Sequence, residues 1–350
     1  MLAAAIIAAA CEAVRPGTFA SRSAVGAAPR ARVALSSTAT RAGLVLAPSS
    51  ASSFEDKILG GMCVRRFLSD DGEKWYMWYS ARGADFDPEV VSLSTGRIGL
   101  ATSSDGVSWN REGAVLTENK DEWFFFDTTH VGIGDVQVMS SQSEKTGGVG
   151  MYWCYYFGGD ATRKRDDGPK GESMSIGLAM SSDGIHWGRV EGEHPNGAIL
   201  IPDENEAQFD SAFVGWPQVV IHAELDYILY YHTIDVKSGK YVVAAARGKD
   251  AVQFSKVGPV LEAGPPGSFD ARGAGARHII EPRIEGSPRY LMFYEAIDDE
   301  GTHSIGLATS KDGLQWDKVG DGPAFAPSTE FGAWDGGAVG RPNVVKVCCF

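Results

Sequence analysis

Short apolar runs alternate with polar positions along this chain and are cut every few residues by glycine, proline or an Asp-Gly pair. That is the pattern of brief, half-buried strands and not of amphipathic helices. One phrase recurs nearly intact at 98–109, 176–187 and 305–316: an alternating run, then Asp-Gly, then Trp three residues past the glycine. A worn copy spans 242–254, with Asp250-Ala251 in the Asp-Gly place and Phe254 for the Trp. Asp-Gly tolerates the positive φ of a tight reversal, so the phrase predicts a strand, a turn and a returning strand whose aromatic covers the sheet. A second phrase precedes it: an aromatic residue, an Asp and, five residues later, a Gly leading into a β-branched run. Its copies begin at Phe126-Asp127 (Gly132), Phe209-Asp210 (Gly215), Phe269-Asp270 (Gly275) and Trp334-Asp335 (Gly340), with a degenerate copy at Asp56 (Gly61). Aromatic-rich strands at 75–80, 152–157, 227–232 and 290–295 lie between the two phrases.

Each unit is thus four consecutive strands, and the closing aromatics at 109, 187, 254 and 316 set a period of 78, 67 and 62 residues. Four short strands repeated at that period predict an all-β fold, a five-bladed β-propeller with four-stranded antiparallel blades. A parallel α/β fold needs helical crossovers that the pattern lacks, and a β-sandwich does not require the phrase to recur. The blades fall at 54–118, 122–202, 207–262 and 267–327, and a partial fifth at 334–350 holds one strand. An incomplete blade leaves sheet edges open; the expectation is a truncated last blade, or a final strand that docks differently.

Composition sharpens this picture. The 43 glycines make up about 12% of the chain, above the usual ~7%, as a fold rich in tight turns requires. The 43% apolar content suffices for a large core. No apolar run reaches the ~18 residues of a membrane span. Residues 1–53 differ from the rest: 17 alanines, five arginines, no lysine and one acid, Glu12. That is the make-up of an organellar targeting peptide, disordered before import, with the plastid as the expected destination and the mitochondrion or secretion as alternatives. Without this segment the net charge falls from −13 to −17, which argues against a nucleic-acid partner but leaves neutral ligands or a protein partner open. Five cysteines (Cys11, Cys63, Cys154, Cys348, Cys349) show no CxxC or zinc spacing, and no HExxH occurs, so no metal or cofactor is expected.

The two phrases, Ile-Gly-Leu-Ala-x-Ser-x-Asp-Gly-x-x-Trp and Phe-Asp-x-x-x-Val-Gly, are where the chain resembles the five-bladed propellers of glycoside hydrolase families 43, 32, 68 and 130, and plastid-addressed plant and algal proteins of arabinanase/levansucrase/invertase type. The resemblance covers 54–350 and implies a saccharide ligand in a central funnel. It further implies carboxylates there that hydrolyse or transfer a glycosyl unit, one kept ionised and one kept protonated. Asp135 matches the second acid of that set. The first strand, Gly60-Gly61-Met62-Cys63-Val64-Arg65, offers no Asp for the first. The candidate proton donor is Glu295, or else Glu281. Positions equivalent to Asp135 in the other blades hold Gln218, His278 and Asn343, a polar ring that suits hydroxyl groups of a ligand, with His232 as a further contact. Asp135 and Glu295 are expected to face one cavity, separated by about 5–10 Å as glycoside hydrolysis requires. The competing reading is a non-catalytic propeller, binding a saccharide or a protein after loss of its first-blade Asp. The once-per-blade Asp127, Asp210, Asp270 and Asp335 are expected to be structural, since a catalytic group appears once.

Overall fold

The structure, a computed structural model, describes residues 3–10, 43–69, 72–140, 150–164, 166, 168–283 and 288–347. Among these there is no helix. The strands are β1 (Ala3–Ala10), then β2 (Ile58–Ser69), β3 (Gly72–Arg82), β4 (Arg97–Ser103) and β5 (Asn110–Leu116) as the first blade. The second blade is β6 (His130–Ser140), β7 (Gly150–Gly159), β8 (Met174–Ser181) and β9 (Gly188–Val190). The third is β10 (Gly215–Ala223), β11 (Asp226–Asp235), β12 (Lys240–Gly248) and β13 (Ser255–Leu261). The fourth is β14 (Gly273–Ile280), β15 (Tyr290–Ile297), β16 (His303–Ser310) and β17 (Asp317–Lys318). Every blade is an antiparallel meander in chain order.

The first strands meet in a closed cycle: β2 touches β6, β6 touches β10, β10 touches β14, β14 touches β18 (Val339–Val347), and β18 returns to β2. The fold is therefore a five-bladed β-propeller, in which, among the described residues, β18 is the inner strand of the fifth position. Its pairing partner is β1, in parallel. The expectation of a leader without structure thus does not extend to Ala3–Ala10, whose unbroken apolar run supplies an edge for β18; the rest of that segment up to residue 42 lies outside the described residues, as do Cys348 and Cys349.

The core is a set of seams between neighbouring blades. Trp78 and Leu100 pack on Ile133, Val136 and Cys154. Tyr155 and Leu178 pack on Val219, Leu229 and Ala244. Ile228 and Tyr230 meet Ile279, Tyr290 and Met292, and Phe293 and Leu307 cover Val339 and Val344. Cys63 and Cys154 are buried free thiols in these seams.

Both repeated phrases have structural work to do. In the Asp-Gly turns, Asp105 Oδ1 accepts from the Val107 and Ser108 amides at 2.8 and 2.7 Å, and Asp183, Asp250 and Asp312 do the same. Ala251 takes the left-handed conformation (φ 65°) that Gly106, Gly184 and Gly313 adopt at the same place. The preceding blade reaches across to these turns: Trp78 Nε1 donates to Gly184 O, Tyr155 hydroxyl to Ala251 O and Tyr230 hydroxyl to Gly313 O. The acid of the second phrase is buried and accepts a tyrosine hydroxyl, with Tyr156 on Asp127, Tyr231 on Asp210 and Tyr294 on Asp270. A base from the fourth strand joins each: Arg189, Lys256 and Lys318. In the first blade this position is Glu55, not Asp56. Tyr79 donates to Glu55 at 2.7 Å, Arg111 pairs with it at 3.1 Å, and Asp56 caps the Ala84 amide instead. The degenerate first copy is therefore Phe54-Glu55 with Gly60, one residue earlier than the sequence reading placed it.

Candidate functional site

Close to its start each inner strand of the four complete blades is broken by a bulge, between Leu59 and Met62, Ile133 and Asp135, Gly215 and Gln218, and Ala274 and Arg277. A bulge re-aims the side chain that follows it. With the first blade in its corrected register, the residues at this point are Cys63, Asp135, Gln218, His278 and Asn343. Each accepts a hydrogen bond from a backbone amide of the next blade. Val136 N–H donates to Cys63 Sγ (3.3 Å), Val219 N–H to Asp135 (3.3 Å), Ile279 N–H to Gln218 (2.9 Å), Val344 N–H to His278 Nδ1 (3.2 Å) and Val64 N–H to Asn343 (3.2 Å). The five bonds close a circle around the hub. Sequence reasoning assigned Gln218, His278 and Asn343 to a ligand and Asp135 to catalysis; in the structure these side chains, with Cys63, latch blade to blade.

Asp135 has no oxygen left over. Oδ1 takes the Arg65 guanidinium and the Cys63 thiol, and Oδ2 takes Gln137 Nε2 (2.6 Å) and the Val219 amide. Burial pushes the Cys63 thiol up to about 12 and the negative charge of Asp135 adds to the shift, so Cys63 remains a protonated donor. Burial also holds His278 down at about 3, with Arg65 contributing. His278 is thus a neutral imidazole whose Nδ1 accepts and whose buried Nε2–H has no partner among the described residues.

Two residues nearer the start of the inner strands, toward the end of the hub that we call its mouth, lies a second cluster. Glu295, near the end of β15, lies against the Gly275 backbone, where a Cβ would come within 3.9 Å of it. Its Oε1 meets His303 Nδ1 at 2.5 Å and its Oε2 accepts the Arg341 amide at 3.1 Å. Trp216 and Arg341 stand at equivalent places two residues before the ring, both at positive φ (50° and 51°). The Arg341 guanidinium lies 5.3 Å over the Trp216 ring and donates to Ser94, in the β3–β4 loop. Gly61 faces both, with Arg341 Cδ 3.5 Å from where its Cβ would be. His232 stacks on Trp216 at 4.5 Å and Phe157 packs at 4.3 Å. Arg277 inserts into the third-blade bulge and donates to Trp216 O and Tyr230 O.

Asp135 and Glu295 therefore share no partner. Asp135 is bound by groups at the ring or beyond it, Glu295 by a backbone amide two residues before it. Glu281 is elsewhere again, past the end of β14 on the opposite rim, ion-paired with Arg283 (3.4 Å) and Arg289 (3.2 Å). The sequence reading gave no role to Trp216, His303 or Arg65. The signal for Trp216 was present: Gly215-Trp216-Pro217-Gln218 and Gly340-Arg341-Pro342-Asn343 are the same Gly-x-Pro-amide phrase in two blades.

No family model and no curated protein matches this chain. Solved structures do. One, from a study of the family 130 mannoside phosphorylases and of glycoside hydrolases that target β-1,2 mannosidic linkages in Candida mannan, shares 16% identity over 84% of this chain and 79% of its own, with a TM-score of 0.55. A thermostable family-43 glycoside hydrolase aligns at 15% identity over 79% of this chain and 78% of that one, TM-score 0.52. A family 117 glycoside hydrolase from Zobellia galactanivorans aligns at 17% identity over 82% and 80%, TM-score 0.51. The chain has the β-propeller fold of these glycoside hydrolase structures.

Proposed function

We propose that this propeller binds a saccharide at the hub mouth framed by Trp216, His232, Glu295 and Arg341, and that it does not cleave glycosidic bonds with the Asp135–Glu295 pair. The fold it shares with sugar-acting propellers supports the ligand class; fold alone does not supply the chemistry. The observation that carries the reading is the state of the two acids. Hydrolysis requires one carboxylate to attack, or to activate water, on one side of the glycosidic carbon while the other protonates the leaving oxygen. Asp135 is spent on Arg65, Gln137 and the blade latch, and Glu295 on His303 and the Arg341 amide. No described acid stands in the first strand between Ile58 and Ser69 to replace them.

The test is a screen of the chain against oligosaccharides by calorimetry, run beside a panel of aryl glycosides. Binding without turnover is the expected result. Turnover abolished by both Asp135→Asn and Glu295→Gln, in variants that melt like the parent, would return the pair to catalysis.

A further inference from the structure

From the charge at the hub mouth we infer that the saccharide recognised there is acidic, bearing a carboxylate or sulfate that lodges among Arg277, His232 and Arg341. The inference rests on the saccharide reading above and adds the ligand's charge.

Arg277 is the starting point. It is 6% exposed, and its Nη2 is used on the Trp216 and Tyr230 carbonyls. Its Nε and Nη1 find no acceptor among the described residues. A buried guanidinium keeps its charge only at considerable expense unless an anion or several acceptors meet it. The nearby acids are committed: Asp135 to Arg65 and Gln137, Glu295 to His303 and a backbone amide. His232, stacked on the Trp216 ring, is buried with Nδ1 unpartnered among the described residues. Desolvation and the positive charges of Arg277 and Arg341 hold His232 well below its ordinary value, so the positive field reaches its ring. Arg341 adds a second guanidinium over the Trp216 ring, tied through its side chain to Ser94, an uncharged partner. Arg277 on the Trp216 carbonyl, Arg341 over its ring and His232 stacked against it thus gather at one residue, with Glu295 accepting the Arg341 amide. In a chain of net charge −13 this is a local inversion of sign. The hydroxyls of a neutral sugar can accept from the Arg277 donors but leave its charge uncompensated; an oxyanion on the sugar would meet both the donors and the charge.

Charge-assisted bonds to such donors favour the acidic ligand by about tenfold or more over a neutral isostere. The experiment compares trigalacturonate with its carboxyl-reduced neutral counterpart, and a sulfated galactan oligosaccharide with its desulfated form, by calorimetry at two salt concentrations. At least one acidic member should bind about tenfold tighter than its neutral twin, and the margin should shrink in Arg277→Met and in Arg341→Gln. The second variant guards against a folding defect in the first, because Arg341 donates its side chain only at the surface loop. Equal binding of both twins overturns the inference while the saccharide reading stands. Binding of none of the four overturns both. An acidic preference unchanged in Arg341→Gln and in folded Arg277→Met places the anion outside this cluster and also overturns it.

Discussion

At the scale of single residues, the lesson of the hub is that a polar side chain inside a strand can serve the scaffold instead of a ligand. Gln218 shows it best, because its amide does two things at once: Oε1 accepts the Ile279 amide and Nε2 donates to the Ile279 carbonyl, both at 2.9 Å. Gln218→Leu keeps the volume and strands both backbone groups, so unfolding in urea should show a loss of about 1–3 kcal/mol. Asp135→Ala should cost more, about 3 kcal/mol, since it leaves Arg65 without its counter-ion; the low end of the range for broken buried pairs applies because the Arg65 side chain is 23% exposed. A loss in neither variant would deny the ring its latching role. None of this was legible from the sequence. Alternation predicts which face a side chain takes only while the strand is unbroken, and the bulge before each ring residue breaks it. The same bulge hid the first-blade register, where Glu55 fills a seat that the other complete blades give to Asp.

At the scale of elements the sequence was far more transparent. The Asp-Gly turn, the aromatic strand and the Phe-Asp phrase are local devices whose chemistry is complete within a dozen residues, and the structure uses them as such. Their electrostatics make a prediction. Backbone amides hold Asp105, Asp250 and Asp312 below the ordinary carboxylate range; for Asp183 the His186 side chain comes first and the amides second. A depressed acid stabilises the fold above its unfolded value near 4 and loses that contribution as pH falls through its folded value. The buried imidazoles act earlier. Desolvation lowers His130 to about 4 and His278 to about 3, so below about pH 6.5 the unfolded chain takes up protons that the folded one refuses. Each such histidine removes about 1.4 kcal/mol per pH unit in that interval. Melting temperature should therefore hold between pH 7 and 8, decline from about 6.5, and fall faster below 4, and a profile flat from 7 to 5 would contradict the burial of these rings.

For the whole molecule, stability depends on closing the circle, since each seam needs the blade on either side. The fifth position is held by β18, which packs Val339 and Val344 on Phe293 and Leu307 and joins two latches, His278 with Val344 and Asn343 with Val64. A chain ending at residue 338 should lose cooperative melting and bind a hydrophobic dye, although it keeps every strand of four blades; a sharp, unshifted transition would show that the seams are independent. The number of blades was countable from the repeat, whereas the pairing of β18 with Ala3–Ala10 was not, because composition marked that run as an address.

The circle of latches sets terms for how such a protein can change. A thiol, a carboxylate, an amide, an imidazole and a second amide occupy five equivalent seats, and what each seat asks for is a lone pair at the right reach. An exchange that keeps an acceptor in a seat can therefore keep the annulus closed, with the loss of any second bond the old side chain made, as Asp135 does with Arg65. A lineage built this way drifts until its members are nearly unrecognisable as text, while the architecture stays superimposable.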